Sequence, residues 1–426
     1  FFFFGRDSKT RFYLDSRASA GLRTRTTMVQ HSDTPRKVAI IGSGNWGCAI
    51  AKIIAKNCQR LAHLDSTVNM WVYEEVLEDG RKLTDVMNET HENVKYLPGY
   101  TLPTNLIAEA NIEKAVSGAN ILVFVIPHQF IGGLCEKIMP NVSSDCIGVS
   151  LIKGLDFDEN GLVLISELIS KKLGGMDISV LMGANIASEV AAGCFCESTV
   201  GYSNKNNGLL LKDVFDDTLF RVGLVDNVRG VEICGALKNV VALGAGFSDG
   251  MHLGENCKAA VLRIGFEEMR RFIQDRYPEV TDATFFASCG IADLITTAYG
   301  GRNHRVAEAY VLAEGTKTLD QLEDEILKGQ KLQGTLTCKE IHIILERDGH
   351  VKDFPLFASI YRIAFEGYNP ETMISSIGNF NLDEENFSLP APPGAPTGEK
   401  TAPRRLNWKV PGGQAPTTEP LHVYMH

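Results

Sequence analysis

From residue 37 onward the chain alternates short apolar runs with longer stretches of helical period. Lys37–Gly42, Val68–Tyr73, Ile121–Pro127, Cys146–Ile152, Ile178–Met182 and Phe220–Val225 are brief and rich in β-branched residues. They are bounded by Gly, Pro or polar positions, and each predicts a strand. Between them, Trp46–Cys58 and Leu162–Leu173 read as helices. Strands alternating with helices predict a parallel sheet covered on both faces. Past about Asp226 the strand signal fades. Val228–Leu243, Glu255–Tyr277, Asn303–Ala313, Leu319–Lys328 and Phe354–Phe365 all carry helical patterns, so the second half is expected to be all-α. No internal repeat is visible.

The two ends break this pattern. Residues 1–27 hold six Arg or Lys and two acids among several Ser and Thr, a composition compatible with a mitochondrial presequence. The preferred expectation is that Met28 is the start and that the preceding residues were read in from upstream. Eight of the 16 prolines fall in residues 381–426, which predicts a disordered tail that buries too little apolar surface to offset its ordering entropy. The expected organisation is an extension over 1–36, a nucleotide domain over 37–227, a helical domain over 228–380 and the tail.

Composition narrows the function. At 426 residues, 44% hydrophobic and 22% charged, the chain can bury a substantial core. A net charge of −10 argues against a nucleic-acid partner. Uninterrupted apolar runs such as Ile121–Pro127 stop at about seven residues, too short to span a bilayer, so no membrane insertion is expected. The ten cysteines form no CxxC and the histidines no HExxH, so no metal site is expected and the thiols read as free and buried.

The chemistry begins at Gly42-Ser43-Gly44-Asn45-Trp46-Gly47, a GxGxxG that follows a strand and opens a helix. In that context Gly42 permits the tight turn and Gly44 lets the backbone approach a pyrophosphate. Gly47 allows close helix–strand packing, and the helix N-terminus meets the phosphate charge. The fold expected is therefore α/β, a Rossmann-like doubly wound sheet followed by an all-α C-terminal domain. Glu74, 27 residues past Gly47 at the end of the second strand, is placed to accept from a free ribose 2′-OH and to repel a 2′-phosphate. NAD is expected over NADP.

Three further constellations carry charge. Lys238 sits in the apolar stretch Ile233–Gly246, where desolvation lowers a lysine pKa into the range useful for acid–base work. The competing reading is a lysine at a helix edge whose stem snorkels to water. Lys153 closes the strand Gly148–Lys153, on the strand end where open α/β sheets bind ligands. Asp293 and Thr297 share a helix face, and Arg302-Asn303 follow a Gly-Gly turn at the start of a helix, a natural anion site.

Seven ordered segments together resemble the NAD-dependent glycerol-3-phosphate dehydrogenases of the eukaryotic cytosolic type. They are GSGNWG, HENVKYLPG (His91–Gly99), FVIPHQFIG (Phe124–Gly132), SLIKG (Ser150–Gly154), LMGANIASEVA (Leu181–Ala191), EICGALKNVVALGAGF and ADLITTAYGGRN. The likeness runs from about Lys37 to Phe380. It implies interconversion of dihydroxyacetone phosphate and sn-glycerol 3-phosphate with NADH and NAD, in the cytoplasm, by a homodimer. It implies Lys238 as general acid/base, with Lys153, Asp293 and Thr297 completing the polar site. Asn239, Arg302 and Asn303, with Lys153, would hold the phosphorylated triose. Cofactor contacts implied are the glycine loop (Gly42, Ser43, Gly44, Asn45, Trp46, Gly47), Tyr73, Phe130, Lys153, Ala187, Arg302, Lys331 and Gln333. This chain has Tyr73 where the family often has Phe, and Gly334-Thr335 where the family usually has Gly-Pro; both bear on contact details. The alternatives are another two-domain dehydrogenase, which the Lys238-Asn239 and Arg302-Asn303 pairs disfavour, and a non-catalytic NAD-sensing module.

Overall fold

The computed structural model describes residues 34–158, 161–327 and 331–378; residues 1–33 of the extension and the proline-rich tail lie outside the described residues, and the first strand begins within the expected extension, at Arg36. Eight strands form one sheet: β1 (Arg36–Ile41), β2 (Leu64–Trp71), β3 (Leu106–Glu109), β4 (Ile121–Phe124), β5 (Ile147–Ser150), β8 (Ile178–Met182), β9 (Cys196–Gly201) and β10 (Phe220–Val225). A separate hairpin pairs β6 (Asp156–Asp158) with β7 (Gly161–Val163). The sheet order is β10-β9-β8-β5-β4-β1-β2-β3. Neighbours run parallel except β8 and β9, which are antiparallel.

The run Val38–Ile41 is apolar without alternation because both faces of the central strand are covered. Val38 and Ile40 pack on one side with Ile50 and Ile54 of the helix Asn45–Arg60. Ala39 and Ile41 pack on the other with Ile131 and Ile169. From β1 the chain builds outward through β2 and β3, then crosses back to β4 on the other flank of β1. Ligand crevices in open α/β sheets open at such a reversal, outside the carboxyl ends of the strands.

After β10 every described element is helical. The 23-residue helix Val228–Gly250 is the axis of this half. It is long and apolar enough to cross a membrane by length and composition, yet its whole apolar window is buried inside the protein. Helices Glu255–Arg276, Asp293–Gly300, Arg302–Leu312, Gln333–Asp348 and Pro355–Phe365 all pack on it. A helix covered on all sides has no polar face to keep.

Several elements were not foreseen. Leu162–Leu173 splits into β7 and the helix Ile165–Lys172. The strand β9 was missed because its sequence, CESTVG, is polar. Its buried hydroxyls are satisfied in tertiary contacts: Ser198 Oγ donates to the Met182 carbonyl at 3.1 Å, and Thr199 Oγ1 accepts from Cys289 N at 3.2 Å. The sheet is accordingly mixed, not wholly parallel. The cysteines are all free; Cys194 is exposed, Cys196 and Cys257 are half-buried and the remainder are buried.

Candidate functional site

The glycine loop stands at the C-terminal end of β1, where the sheet reverses. Gly42 has φ +117°, and a Cβ there would meet the Val125 carbonyl oxygen at 2.3 Å. A Cβ on Gly47 would stand 2.5 Å from the Gly42 oxygen, so helix and turn close against each other. At Gly44 a Cβ would meet nothing within 4 Å, which leaves room over the backbone. Gly44 is also the N-cap of the helix Asn45–Arg60 and gives it no side-chain cap. The first N–H groups of that helix therefore face an open cradle, the arrangement that takes a pyrophosphate. These residues fit a dinucleotide. Asn45 is exposed, while Trp46 and Ala187 pack on the same core beneath the loop. Tyr73, just beyond β2, and Phe130, in the turn after β4, are 71% and 56% exposed and flank the loop as open aromatic faces.

Glu74 has a different occupation from the one expected. Its carboxylate accepts from Thr84 N at 3.2 Å and from Thr84 Oγ1 at 2.6 Å, holding the first turn of the helix Leu83–Thr90. Both oxygens are engaged within the protein.

The charged residues converge from far apart in the chain. Lys238 lies in the middle of the central helix and is only 4% exposed, which removes the snorkelling alternative. Its Nζ donates to Asp293 Oδ1 and to Thr297 Oγ1, the latter at 2.6 Å. Lys153 Nζ donates to the other Asp293 oxygen at 2.9 Å and to the Gly183 carbonyl at 2.9 Å. One buried carboxylate thus holds two ammonium groups, and Lys153 keeps about a quarter of its side chain open to solvent. Burial lowers the Lys238 pKa to about 7; Asp293 opposes that shift and Lys153 adds to it. Desolvation outweighs the ion pair here because the group is wholly enclosed.

A second corner is built on the helix Arg302–Leu312, whose N-cap residue, Gly301, has no side chain with which to cap it. Arg302 is exposed there, its pKa lowered by the surrounding protein and by Arg305. Asn303 is buried. It donates to Asn239 Oδ1 at 3.0 Å and accepts from Gly334 N at 2.9 Å, tying the central helix to the first turn of the helix Gln333–Asp348. A Cβ on Gly334 would lie 2.6 Å from the Asn239 backbone carbonyl oxygen, so the glycine is needed for this approach. His304, the next residue, joins Lys258 on Asp249 at the end of the central helix, at 2.7 and 2.6 Å, and so anchors this N-terminus. Gln333 Oε1 comes within 3.3 Å of the space a Gly154 Cβ would fill, next to Lys153. Lys331 is turned to Glu323 at 2.5 Å and is largely exposed.

Two contributors had no role in the sequence reading. Gly183, in the LMGAN segment, supplies the carbonyl that holds Lys153. Asn93, in the HENVKYLPG segment, is fully buried and bonds to the carbonyl of Ser43 in the glycine loop. The motifs themselves were the available signal; only the contacts assign a task to these members of them.

Comparison with known proteins identifies the family. Profiles of the NAD-dependent glycerol-3-phosphate dehydrogenase N-terminus and C-terminus match residues 37–208 and 227–375. Among curated relatives, the mouse cytoplasmic glycerol-3-phosphate dehydrogenase [NAD(+)] is 55% identical over 333 residues, covering 78% of this chain and 94% of the relative. A zebrafish glycerol-3-phosphate dehydrogenase 1-like protein is 53% identical over 345 residues, 80% of this chain and 97% of the relative. Among solved structures, the yeast Saccharomyces cerevisiae glycerol-3-phosphate dehydrogenase is 42% identical with a TM-score of 0.75, covering 81% of this chain and 99% of that one. The Plasmodium falciparum enzyme is 35% identical with a TM-score of 0.79, covering 83% and 98%. With both halves matched in order and the relatives covered almost end to end, this chain belongs to the NAD-dependent glycerol-3-phosphate dehydrogenase family of oxidoreductases.

Proposed function

We propose that the chain interconverts dihydroxyacetone phosphate and sn-glycerol 3-phosphate in the cytoplasm, acting as a homodimer, with Lys238 as general acid and base. Residues 37–227 would hold the cofactor and 228–380 the substrate. NAD, when bound, accepts hydride from the alcohol carbon, and NADH returns it to the carbonyl carbon. Everything else falls to the protein. In reduction the Lys238 ammonium gives its proton to the carbonyl oxygen as that oxygen gains charge; in oxidation the free amine takes the proton back. A group titrating at about 7 serves both directions at neutral pH.

Asp293 and Thr297 orient the Lys238 amine, and Lys153 leaves a second positive charge beside the reacting oxygen to stabilise it. Arg302 and the helix N-terminus behind it would take the substrate phosphate, with Asn239 and Asn303 fixing the triose. On the cofactor side, Gly42, Ser43, Gly44, Asn45, Trp46 and Gly47 would take the pyrophosphate, with Tyr73, Phe130 and Ala187 around the rest. Lys331 and Gln333 are assigned to the cofactor; for Lys331 this requires leaving Glu323. The observation that supports the assignment best is the enclosed Lys238–Asp293–Lys153 triad beside the Arg302–Asn303 corner. NADH consumption with dihydroxyacetone phosphate set against unphosphorylated dihydroxyacetone tests it. Faster turnover of the phosphorylated triose is expected, and equal rates would overturn the substrate assignment.

A further inference from the structure

Between the helix Leu83–Thr90 and β3, the chain turns through His91, which has φ 53°, and runs on without regular structure around Asn93. Asn93 is fully buried, and its amide is used at both ends. Nδ2 donates to the Ser43 carbonyl at 2.9 Å and lies 3.2 Å from Cys48 Sγ; the Cys48 thiol meets the same carbonyl at 3.2 Å. Oδ1 accepts from Tyr96 N at 3.0 Å and Lys95 N at 3.3 Å. The side chains of those two residues then hold Glu75, just past β2: Tyr96 Oη donates at 2.6 Å and Lys95 forms an ion pair. A continuous strap therefore runs from the glycine loop to the end of the second strand.

Pinning the Ser43 carbonyl has a directional consequence. In a planar trans peptide the C=O and the following N–H point in opposite directions. Holding the Ser43 oxygen on buried Asn93 turns the Gly44 N–H away from Asn93. We infer that Asn93 is the positioning residue of the dinucleotide loop: it aims the Gly44 N–H at the pyrophosphate and, through Lys95 and Tyr96, links that loop to the β2 end beside the adenosine half. This rests on the reading of Gly42–Gly47 as the pyrophosphate cradle. Cys48 supports the same carbonyl as a weak donor, and burial pushes its thiol pKa up to about 11, so it stays protonated.

The test uses the full chain, NADH titration by fluorescence, steady-state kinetics and hydrogen exchange of the unliganded protein. Asn93→Asp keeps the acceptor for Lys95 and Tyr96 but removes the donor to Ser43; Asn93→Ala removes both. Each is expected to raise the NADH Kd about ten- to hundredfold. The KM for dihydroxyacetone phosphate at saturating NADH should move by no more than about twofold. Amide exchange should quicken over residues 42–48 in the absence of cofactor. Tyr96→Phe, on a partly exposed side chain, is expected to give a smaller rise of about two- to fivefold. Gly44→Asp, which adds a carboxylate in open space over the cradle, is the control. If it leaves the NADH Kd unchanged, the cradle reading itself fails. If it weakens NADH while Asn93→Asp binds normally with unaltered exchange over 42–48, the strap inference alone is overturned.

Discussion

The two ends of the site are made of opposite materials. The glycine loop offers backbone N–H groups and empty space: Gly42, Gly44 and Gly47 are needed for what they lack. The Lys238 cluster offers formal charges in an enclosed interior, with two lysines on one carboxylate. One end would bind by partial charges that a helix terminus supplies without any ionised side chain. The other depends on charges that burial disfavours, and that penalty is what tunes Lys238. The first should therefore fail when atoms are added, and the second when they are removed.

The largest expected effect is a removal. Lys238→Ala should lower kcat by about 10²–10⁴-fold, the range for losing a general acid/base. NADH affinity measured on the folded variant should be unchanged, since the cradle is in the other half of the chain. Lys238→Arg should not restore turnover, because a guanidinium stays charged. Near-normal kcat in either variant would remove Lys238 from the mechanism and leave Lys153 as the next candidate.

Arg302→Ala is expected to follow. Losing a charge-assisted contact to phosphate should reduce kcat/KM for dihydroxyacetone phosphate by about two to three decades. Activity on the unphosphorylated triose should barely change, and an unaltered preference between the two would refute the assignment.

An addition tests the other end. Gly42→Ala forces a side chain at φ +117° into the Val125 carbonyl, and should cost about 1–3 kcal/mol of stability by denaturant unfolding while weakening NADH. A variant as stable as the parent would show that the turn is less constrained than its geometry implies.

The pH response separates the two ends without mutation. Burial disfavours the charged form of Lys238 and brings its pKa down to about 7. Reduction, which needs the ammonium, should lose rate as pH rises through about 7, and oxidation, which needs the free amine, should gain rate over the same interval. Binding of NADH should stay flat there, because backbone N–H groups do not titrate. Parallel profiles for both directions would argue against a shared acid–base group. The smallest expected effect is at Glu74: with its oxygens on Thr84, Glu74→Gln should relax the preference for NADH over NADPH by less than about tenfold, through charge alone. A larger change would mean the carboxylate leaves Thr84 when cofactor binds.

Much of this molecule was legible from its sequence, for a local reason. A strand, a GxGxxG and a helix N-terminus are adjacent in the chain, so Gly42–Gly47 could be interpreted without knowing any distant contact. The apolar runs at Lys37, Ile121, Ile178 and Phe220 announced strands for the same reason: a covered sheet leaves its mark in consecutive residues. The polar strand β9 did not, because Ser198 and Thr199 are tolerated in the interior only through partners at Met182 and Cys289.

Tertiary structure decided the rest. That Lys238 is enclosed and not at a helix edge depends on helices packing around it from every side. That its amine meets Asp293, 55 residues on, follows from packing within the helical half, and that Lys153 reaches the same carboxylate across 140 residues follows from bringing the two halves together. Glu74 looked free to meet a ribose until Thr84 was brought against it, and Asn93 had no assigned task until Ser43 came within 2.9 Å. Backbone chemistry is written in neighbouring residues because the peptide carries its donors everywhere; side-chain electrostatics depends on burial and on distance, and neither exists before the chain has folded.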